Sequence, residues 1–371
     1  MRPHRIVLVL VALLTVAPTC DGAGRKKKLI EMGWDEPDPA YMRAHLAELE
    51  ATPFDGCVYH LPYPGSPGET FGKFGKPQSY AWAVWGTRRF HDEDLSAPLA
   101  DLRATPFRRF RSNFLRMNVT PGTLDWFDDH SVVMSNLRLG AGIARRAGSA
   151  GVLLDTEQYQ GHLFEYAAQR DAGKHSYREY SDQARRRGQE TMRALEQGFP
   201  GLTVFLTFGV THPYIVSDRG RFPIEKQPYG LLIPFLDGMI LAASDSAKIV
   251  DGMEASFPVK DPAALDRYVQ AQTSVLPLVS DSLKYRRVVS RSFGIWLDFD
   301  QQHKPWHVDD TSKNYRPPAA LRSVVKRALE LSDDYVWVYG EAGLWWPRAG
   351  KPKSVPNDYD RALRDAQSST H

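Results

Sequence analysis

The residues of this 371-residue chain best suited to chemistry are carboxylates, and they recur in one local setting. Apolar runs finish in acids at Gly151-Val-Leu-Leu-Asp155-Thr-Glu157, Ile249-Val-Asp251-Gly-Met-Glu254, Phe293-Gly-Ile-Trp296-Leu-Asp298-Phe-Asp300 and Tyr335-Val-Trp337-Val-Tyr-Gly-Glu341. A further run finishes Gly33-Trp34-Asp35-Glu36. Side chains alternate along a strand, so Asp155 and Glu157 point the same way. Two acids on one face raise each other's pKa, which suits one of them to proton donation near neutral pH. A single acid in such a place can equally cap a helix or pair with an arginine. The recurrence at several strand ends is what points to chemistry.

Elements that position these acids follow from the same runs. Strands are predicted at 29–34, 54–60, 112–118, 151–157, 203–209, 248–254, 293–299 and 335–341. Helices are predicted at 38–51, 93–105, 124–147, 175–198, 230–243, 261–289 (broken at Pro277) and 318–332. Asp38 between Pro37 and Pro39, Asp261-Pro262 and Pro317-Pro318 read as helix starts. Phe199-Pro200-Gly201 reads as a stop. Eight strand–helix units without a linker imply an α/β fold closed as a (β/α)8 TIM barrel. The long connections 61–90, 158–173, 210–229 and 300–316 all follow strands. In a barrel they share the face where the strands' C-terminal ends, and the acids, lie. The expected organisation is a leader over 1–23, one barrel over 24–346 and a polar tail over 347–371, in which 358–366 could form a short helix.

Composition narrows the function. The formal charge is +3 in a chain with 25% charged residues, which gives no support to nucleic-acid binding. Arg2 and Arg5 followed by the apolar stretch Ile6–Ala17 read as a signal peptide. That stretch is shorter than the ~20 residues that span a bilayer. The expected location is secreted or periplasmic, with lipidation of Cys20 as the alternative, and no membrane segment after cleavage. Cys57 would then stand alone as an inert core thiol.

No phosphate loop, nucleophile elbow or dinucleotide fingerprint is present, so no cofactor is expected. His303, His307, Asp309 and Asp310 form the one metal-like spacing, but Pro305 breaks the helix that would align the imidazoles, and no metal is expected.

Paired carboxyls at a barrel mouth are what glycosidic bond cleavage needs. One protonates the departing oxygen, and the other attacks the anomeric carbon or activates water. The separation is about 5–5.5 Å for retention and about 6.5–9.5 Å for inversion. Aromatic residues add sugar-stacking surface. The loop 61–90 holds Tyr63, Phe71, Phe74, Tyr80, Trp82 and Trp85, and Trp34, Trp296, Trp306, Trp337, Trp345 and Trp346 lie near strand ends. Asp35, His60, Asn118, Tyr159 and His212 are the polar candidates for sugar contacts. Asn118-Val-Thr120 also matches a glycosylation sequon.

With an acid closing strand four, further acids closing strands six to eight, and tryptophan near the end of strand eight, the chain resembles the barrel glycoside hydrolases, clan A especially. The resemblance implies that Glu157 is the acid/base. It places the nucleophile on strand seven, where this chain has Asp298 instead of glutamate, and Thr156 stands where asparagine is usual. Other barrel glycosidases use a strand-four aspartate as nucleophile, which Asp155 with Glu254 would fit. Glu254, Asp298 and Glu341 therefore stay open as partners of Glu157. The readings carried forward are a secreted glycoside hydrolase acting on an oligo- or polysaccharide, a carbohydrate-binding protein on the same barrel, and a metal-dependent hydrolase using residues 303–310.

Overall fold

Alternation along short apolar strands builds two separate cores. The computed structural model describes residues 26–64, 79–299, 305–348 and 350–369. The leader, Phe71, Phe74 and His303 lie outside them. Nine strands form one sheet with every pairing parallel: β1 (Lys28–Gly33), β2 (Gly56–Tyr59), β3 (Phe114–Asn118), β4 (Gly151–Asp155), β5 (Thr203–Leu206), β6 (Lys248–Asp251), β7 (Val289–Arg291), β8 (Gly294–Trp296) and β9 (Tyr335–Gly340).

The sheet order runs from β7 through β6 to β1, then to β9 and β8. Its two end strands are consecutive pieces of one extended segment. Only Ser292-Phe293 separates them, so the two edges of the sheet meet and the barrel closes. Ser292 N–H still donates to Asp251 O on one side (3.0 Å), while Phe293 O accepts from Trp337 N–H on the other (3.1 Å). The seventh barrel strand thus begins at Val289, earlier than the predicted 293. Its start is β-branched and pairs with β6 before the hydrophobic run begins. Eight strand positions with helices between them make an α/β (β/α)8 barrel.

The helices are α1 (Pro39–Ala44), α2 (Leu46–Ala51), α3 (Ser96–Ala104), α4 (Ser131–Arg146), α5 (Tyr177–Gly198), α6 (Thr211–Val216), α7 (Leu232–Ala242), α8 (Asp266–Ser274), α9 (Ser282–Val288), α10 (Pro318–Leu331) and α11 (Asn357–Ser368). Asp38 caps α1 by accepting from Tyr41 N–H (2.9 Å), with Pro39 in the first turn, where its missing N–H costs nothing. The predicted helix over 261–289 is three pieces, with Pro277 in a short 3-10 turn between α8 and α9. Helix α4 starts at Ser131, later than the predicted 124, because Asp125 and Asp128 fold the preceding residues into turns. The tail does not hang loose. Helix α11 buries Tyr359, Ala362, Leu363 and Ala366 against the barrel's outer layer.

Strand parity sorts the core. Leu29, Cys57, Tyr59, Leu115, Val152, Leu154, Val204, Ile249, Ile295, Val336 and Val338 face the helices. Ile30, Met32, Val58, Phe114, Leu153, Phe205, Val250, Tyr335 and Trp337 fill the barrel. Trp337, expected as a sugar platform, is instead the largest interior side chain, with its indole N–H on Gly252 O (2.7 Å). Gly294 makes room for it, because a Cβ there would stand 2.6 Å from the indole. Among the described residues no helix is long and apolar enough to cross a membrane.

Candidate active site

The interior parity that buries Phe114, Leu153, Phe205 and Trp337 carries Arg116, Asp155, Thr207 and Tyr339 upward, each two residues further towards the strands' C-terminal ends. The top layer of the barrel is therefore polar. Arg116 organises it. Its Nε and Nη2 donate to Glu36 Oε2 and Oε1, both at 2.9 Å, and its Nη1 donates to Asp155 Oδ2. This bidentate fork is the strongest geometry an arginine–carboxylate pair can take. His60 Nε2 lies 2.7 Å from Glu36 Oε2 and its Nδ1 3.1 Å from Ser79 Oγ. Burial alone would raise the Glu36 pKa, but the charges of Arg116 and His60 overcome it and hold this carboxyl well below the usual range.

Asp155 is fully buried and saturated with donors. Besides Arg116 it receives Thr207 Oγ1 (2.9 Å), the Tyr159 hydroxyl (2.9 Å) and the Glu157 backbone N–H (3.0 Å). It is thus held in place under the cavity floor by four donors. Glu157 stands directly above it. Burial, then the Asp155 charge, push Glu157 up to about 7, and Glu341 adds to the effect.

Glu254 is the second carboxyl on the wall. The turn that presents it is unusual, for Met253 adopts φ +50°, ψ +50°, a left-handed conformation that costs a non-glycine residue about 1–3 kcal/mol. Asp251 holds that turn by accepting from Met253 N–H (3.2 Å) and Thr211 Oγ1 (2.7 Å). Burial, then Glu157 and Asp155, push Glu254 well above the ordinary range. The third carboxyl, Glu341, follows β9 and accepts from the Tyr339 hydroxyl (2.9 Å).

These groups line a cavity of about 400 Å³ bounded by Met32, Gly33, Trp34, Glu36, His60, Trp82, Arg116, Glu157, Tyr159, Glu254, Phe257, Trp296, Tyr339 and Glu341. Its walls are aromatic. Trp34 is half exposed at the rim and donates to the Tyr339 hydroxyl (3.0 Å). Phe257 lies against Tyr339 (5.3 Å, 19° between planes) and edge-on to Trp296 (5.5 Å), while Trp82 meets Tyr159 at 5.0 Å. Behind this wall Arg316 is fully buried without a carboxylate partner among the described residues. Its guanidinium donates to the carbonyls of Val259 (2.8 Å), Phe257 and Trp296, so it ties together the backbones that carry two of the rings.

The structure brings Trp34, His60, Trp82, Glu157, Tyr159, Glu254, Trp296 and Glu341 to this cavity, with Asp155 directly beneath. The other candidates lie elsewhere. Asp298 accepts the backbone N–H groups of Glu341, Ala342 and Gly343 and the Trp296 indole N–H (2.8 Å), so it fastens the turn that presents Glu341. Asp35 points out of the barrel to Trp345 N–H (2.7 Å). Trp85 packs on Phe235 in the outer core, and Trp345 packs edge-on to Phe54. His212 is stacked on Phe208, and burial lowers it to about 4. Asn118 is wholly buried in β3 within the Arg116 cluster, its Oδ1 3.4 Å from Arg116 Nη1, so it lies beneath the cavity wall and its burial closes the sequon to modification.

Glu36, Arg116, Phe257 and Tyr339 were not among the candidates. Arg116 had a signal: a lone charge in an apolar strand with the parity of Phe114. Tyr339 likewise shares the parity of Trp337. Of the metal-like cluster, Asp310 caps a short 3-10 turn, and no group of three potential metal ligands gathers among the described residues.

No protein-family model matches the chain, and no curated protein matches it. Solved structures with the same barrel plan include a Bacteroidetes-affiliated GH5 cellulase (9% identity, 93% of this chain and 91% of that one, TM-score 0.47). Others are a GH113 beta-1,4-mannanase (10%, 93% and 99%, TM-score 0.45) and a GH5-4 broad specificity endoglucanase from Clostridium longisporum (11%, 89% and 86%, TM-score 0.46). These neighbours are barrel glycoside hydrolases, and no single family is identified.

Proposed function

We propose that this chain is a glycoside hydrolase in which Glu157 is the general acid and Glu341 the partner carboxylate. The observation that carries the reading is a partly buried carboxyl set directly over one held by Arg116, in an aromatic-walled cavity that holds further carboxyls. Asp155 is engaged by Arg116 and three further donors, while burial and then the Asp155 charge raise Glu157 to about 7, so Glu157 is the group suited to give a proton. At pH 7 a carboxyl of ordinary pKa is protonated in about one molecule in 300, whereas one titrating near 7 is protonated in about half. In cleavage Glu157 gives its proton to the glycosidic oxygen as the bond to the anomeric carbon breaks. Glu341 supports the positive charge that develops at that carbon, by direct attack or by taking a proton from the incoming water. Glu254, whose carboxyl burial and then its two acidic neighbours push well above the ordinary range, is poorly suited to that anionic task and serves substrate contact instead. The leader over 1–23 supports export, and we place the working compartment outside the cytoplasm on that sequence reading.

The test is hydrolysis of a panel of glycans and aryl glycosides by the mature chain and by Glu157→Gln. The expected result is a fall in kcat of about 10²–10⁴-fold for the variant, with an unchanged unfolding midpoint. Equal turnover by both proteins would remove Glu157 from catalysis. Tight glycan binding without turnover by the parent would make the chain a carbohydrate-binding protein.

A further inference from the structure

The charges on the cavity wall are lopsided. Six ionisable acids and bases other than tyrosine line it: Glu36, His60, Arg116, Glu157, Glu254 and Glu341. Both cationic groups are already committed. Arg116 spends its Nε and Nη2 on Glu36 and its Nη1 on Asp155, and His60 Nε2 sits on Glu36. The tyrosine hydroxyls are committed too, Tyr159 to Asp155 and Tyr339 to Glu341. What faces the ligand space is therefore three carboxyls, Glu157, Glu254 and Glu341, with no cation among the described residues left to receive an anion.

Glu254 is distinctive within this set. Its carboxyl meets no hydrogen-bond donor among the described residues, and the charges nearest to it are the carboxyls of Glu157 and Asp155. A half-buried carboxyl without a donor is costly to hold among other acids unless a partner arrives. The strained backbone of Met253 nevertheless holds it there. A partner that compensates a carboxyl is a hydrogen-bond donor, neutral or cationic.

We infer that the cavity takes a sugar unit without acidic substituents, and that Glu254 is the specificity-determining residue, hydrogen-bonded to a hydroxyl or amino group of that unit. A carboxylate, sulfate or phosphate on the bound unit would meet an acidic wall with no counter-ion among the described residues, a juxtaposition that disfavours binding. An amino-bearing sugar gains most, because its ammonium sets a positive charge against the carboxyls of the wall. The inference rests on the glycoside hydrolase reading and narrows it.

The test is equilibrium binding at pH 7 with the Glu157→Gln chain, in which turnover is silenced, against matched glycan sets. Each set has one backbone in neutral, amino-bearing and uronate forms, with cellotetraose, its glucosamine counterpart and its uronate counterpart as the first. Gluco-, manno- and galacto-configured sets run in parallel. For the configuration that binds, the neutral and amino forms are expected to bind at least ten-fold tighter than the uronate. Adding Glu254→Gln, which keeps shape and removes the titratable group, is expected to narrow the gap between amino form and uronate at least three-fold. A uronate bound as tightly as its neutral counterpart overturns the inference and leaves the hydrolase reading standing. An unchanged gap in the Glu254→Gln chain overturns the role of Glu254. Absence of binding to every set overturns both the inference and the glycan reading beneath it.

Discussion

Two clusters of buried carboxyls flank β1, and they behave differently. On the inner side Glu36 and Asp155 are bridged by Arg116 beneath an open cavity. On the outer side Glu31 and Asp35 are buried with Cys57 and Trp345 in the apolar layer between strands and helices. Burial, then Asp35, push Glu31 well above the ordinary carboxyl range, and burial raises Asp35 to about 6. Burial likewise pushes the Cys57 thiol up, in keeping with an inert core cysteine. Raised carboxyls occur on both sides, Glu157 and Glu254 above the inner cluster and Glu31 and Asp35 in the outer one, but among the described residues it is the inner side that opens to a cavity. A perturbed pKa marks a place where charge is confined, and access decides whether the confined group can act.

The sharpest way to break the comparison is Arg116→Met. It leaves two buried carboxyls without their shared cation, and a loss of about 3–5 kcal/mol is expected in urea unfolding at pH 7. A loss below about 1 kcal/mol would mean that the inner cluster is not built on Arg116.

Next in size is the outer pair. Glu31 holds its proton more tightly folded than unfolded, so the folded state binds more protons above pH 4.5. Its contribution is therefore greatest at low pH and is lost as pH rises from there towards its raised value, while Asp35 adds the same trend between 3.8 and about 6. Glu31→Gln, whose amide can donate to an ionised Asp35, is expected to stabilise the protein at pH 8 by about 1–3 kcal/mol. The same change should give little gain at pH 4.5. Equal unfolding curves for both proteins at pH 8 would show that the pair carries no penalty.

The smallest effect sharpens the inner cluster. Asp155→Asn removes the leading electrostatic cause of the raised Glu157. Activity that needs protonated Glu157 declines as pH rises through its pKa, so this alkaline limb of kcat/KM is expected to move to lower pH. A limb that stays in place would assign the titrating acid to another residue.

Adjacent residues show how far the sequence could be read. Eight apolar runs, their helix starts at Asp38 and Pro318, and the acids at their ends are written in local pattern, because alternation and capping depend on near neighbours alone. Asp155 and Glu157 were therefore visible as a pair. Asp35 and Glu36 were not separable in the same way. They lie just beyond β1, where strand parity no longer applies, and the turn sends Asp35 outward to Trp345 and Glu36 inward to Arg116. Asp298 and Glu341 both end apolar runs, yet one fastens the turn that presents the other.

By itself, then, the sequence determined the barrel, its polar mouth and the strand-four acids, since each follows from the order of side chains along a single strand or helix. Only the tertiary structure decided that Glu36, Arg116 and Tyr339 belong to the site while Trp85, His212, Trp337 and Trp345 belong to the cores. Those assignments depend on which strands become neighbours when the sheet closes, and on the path of turns whose direction no local periodicity encodes.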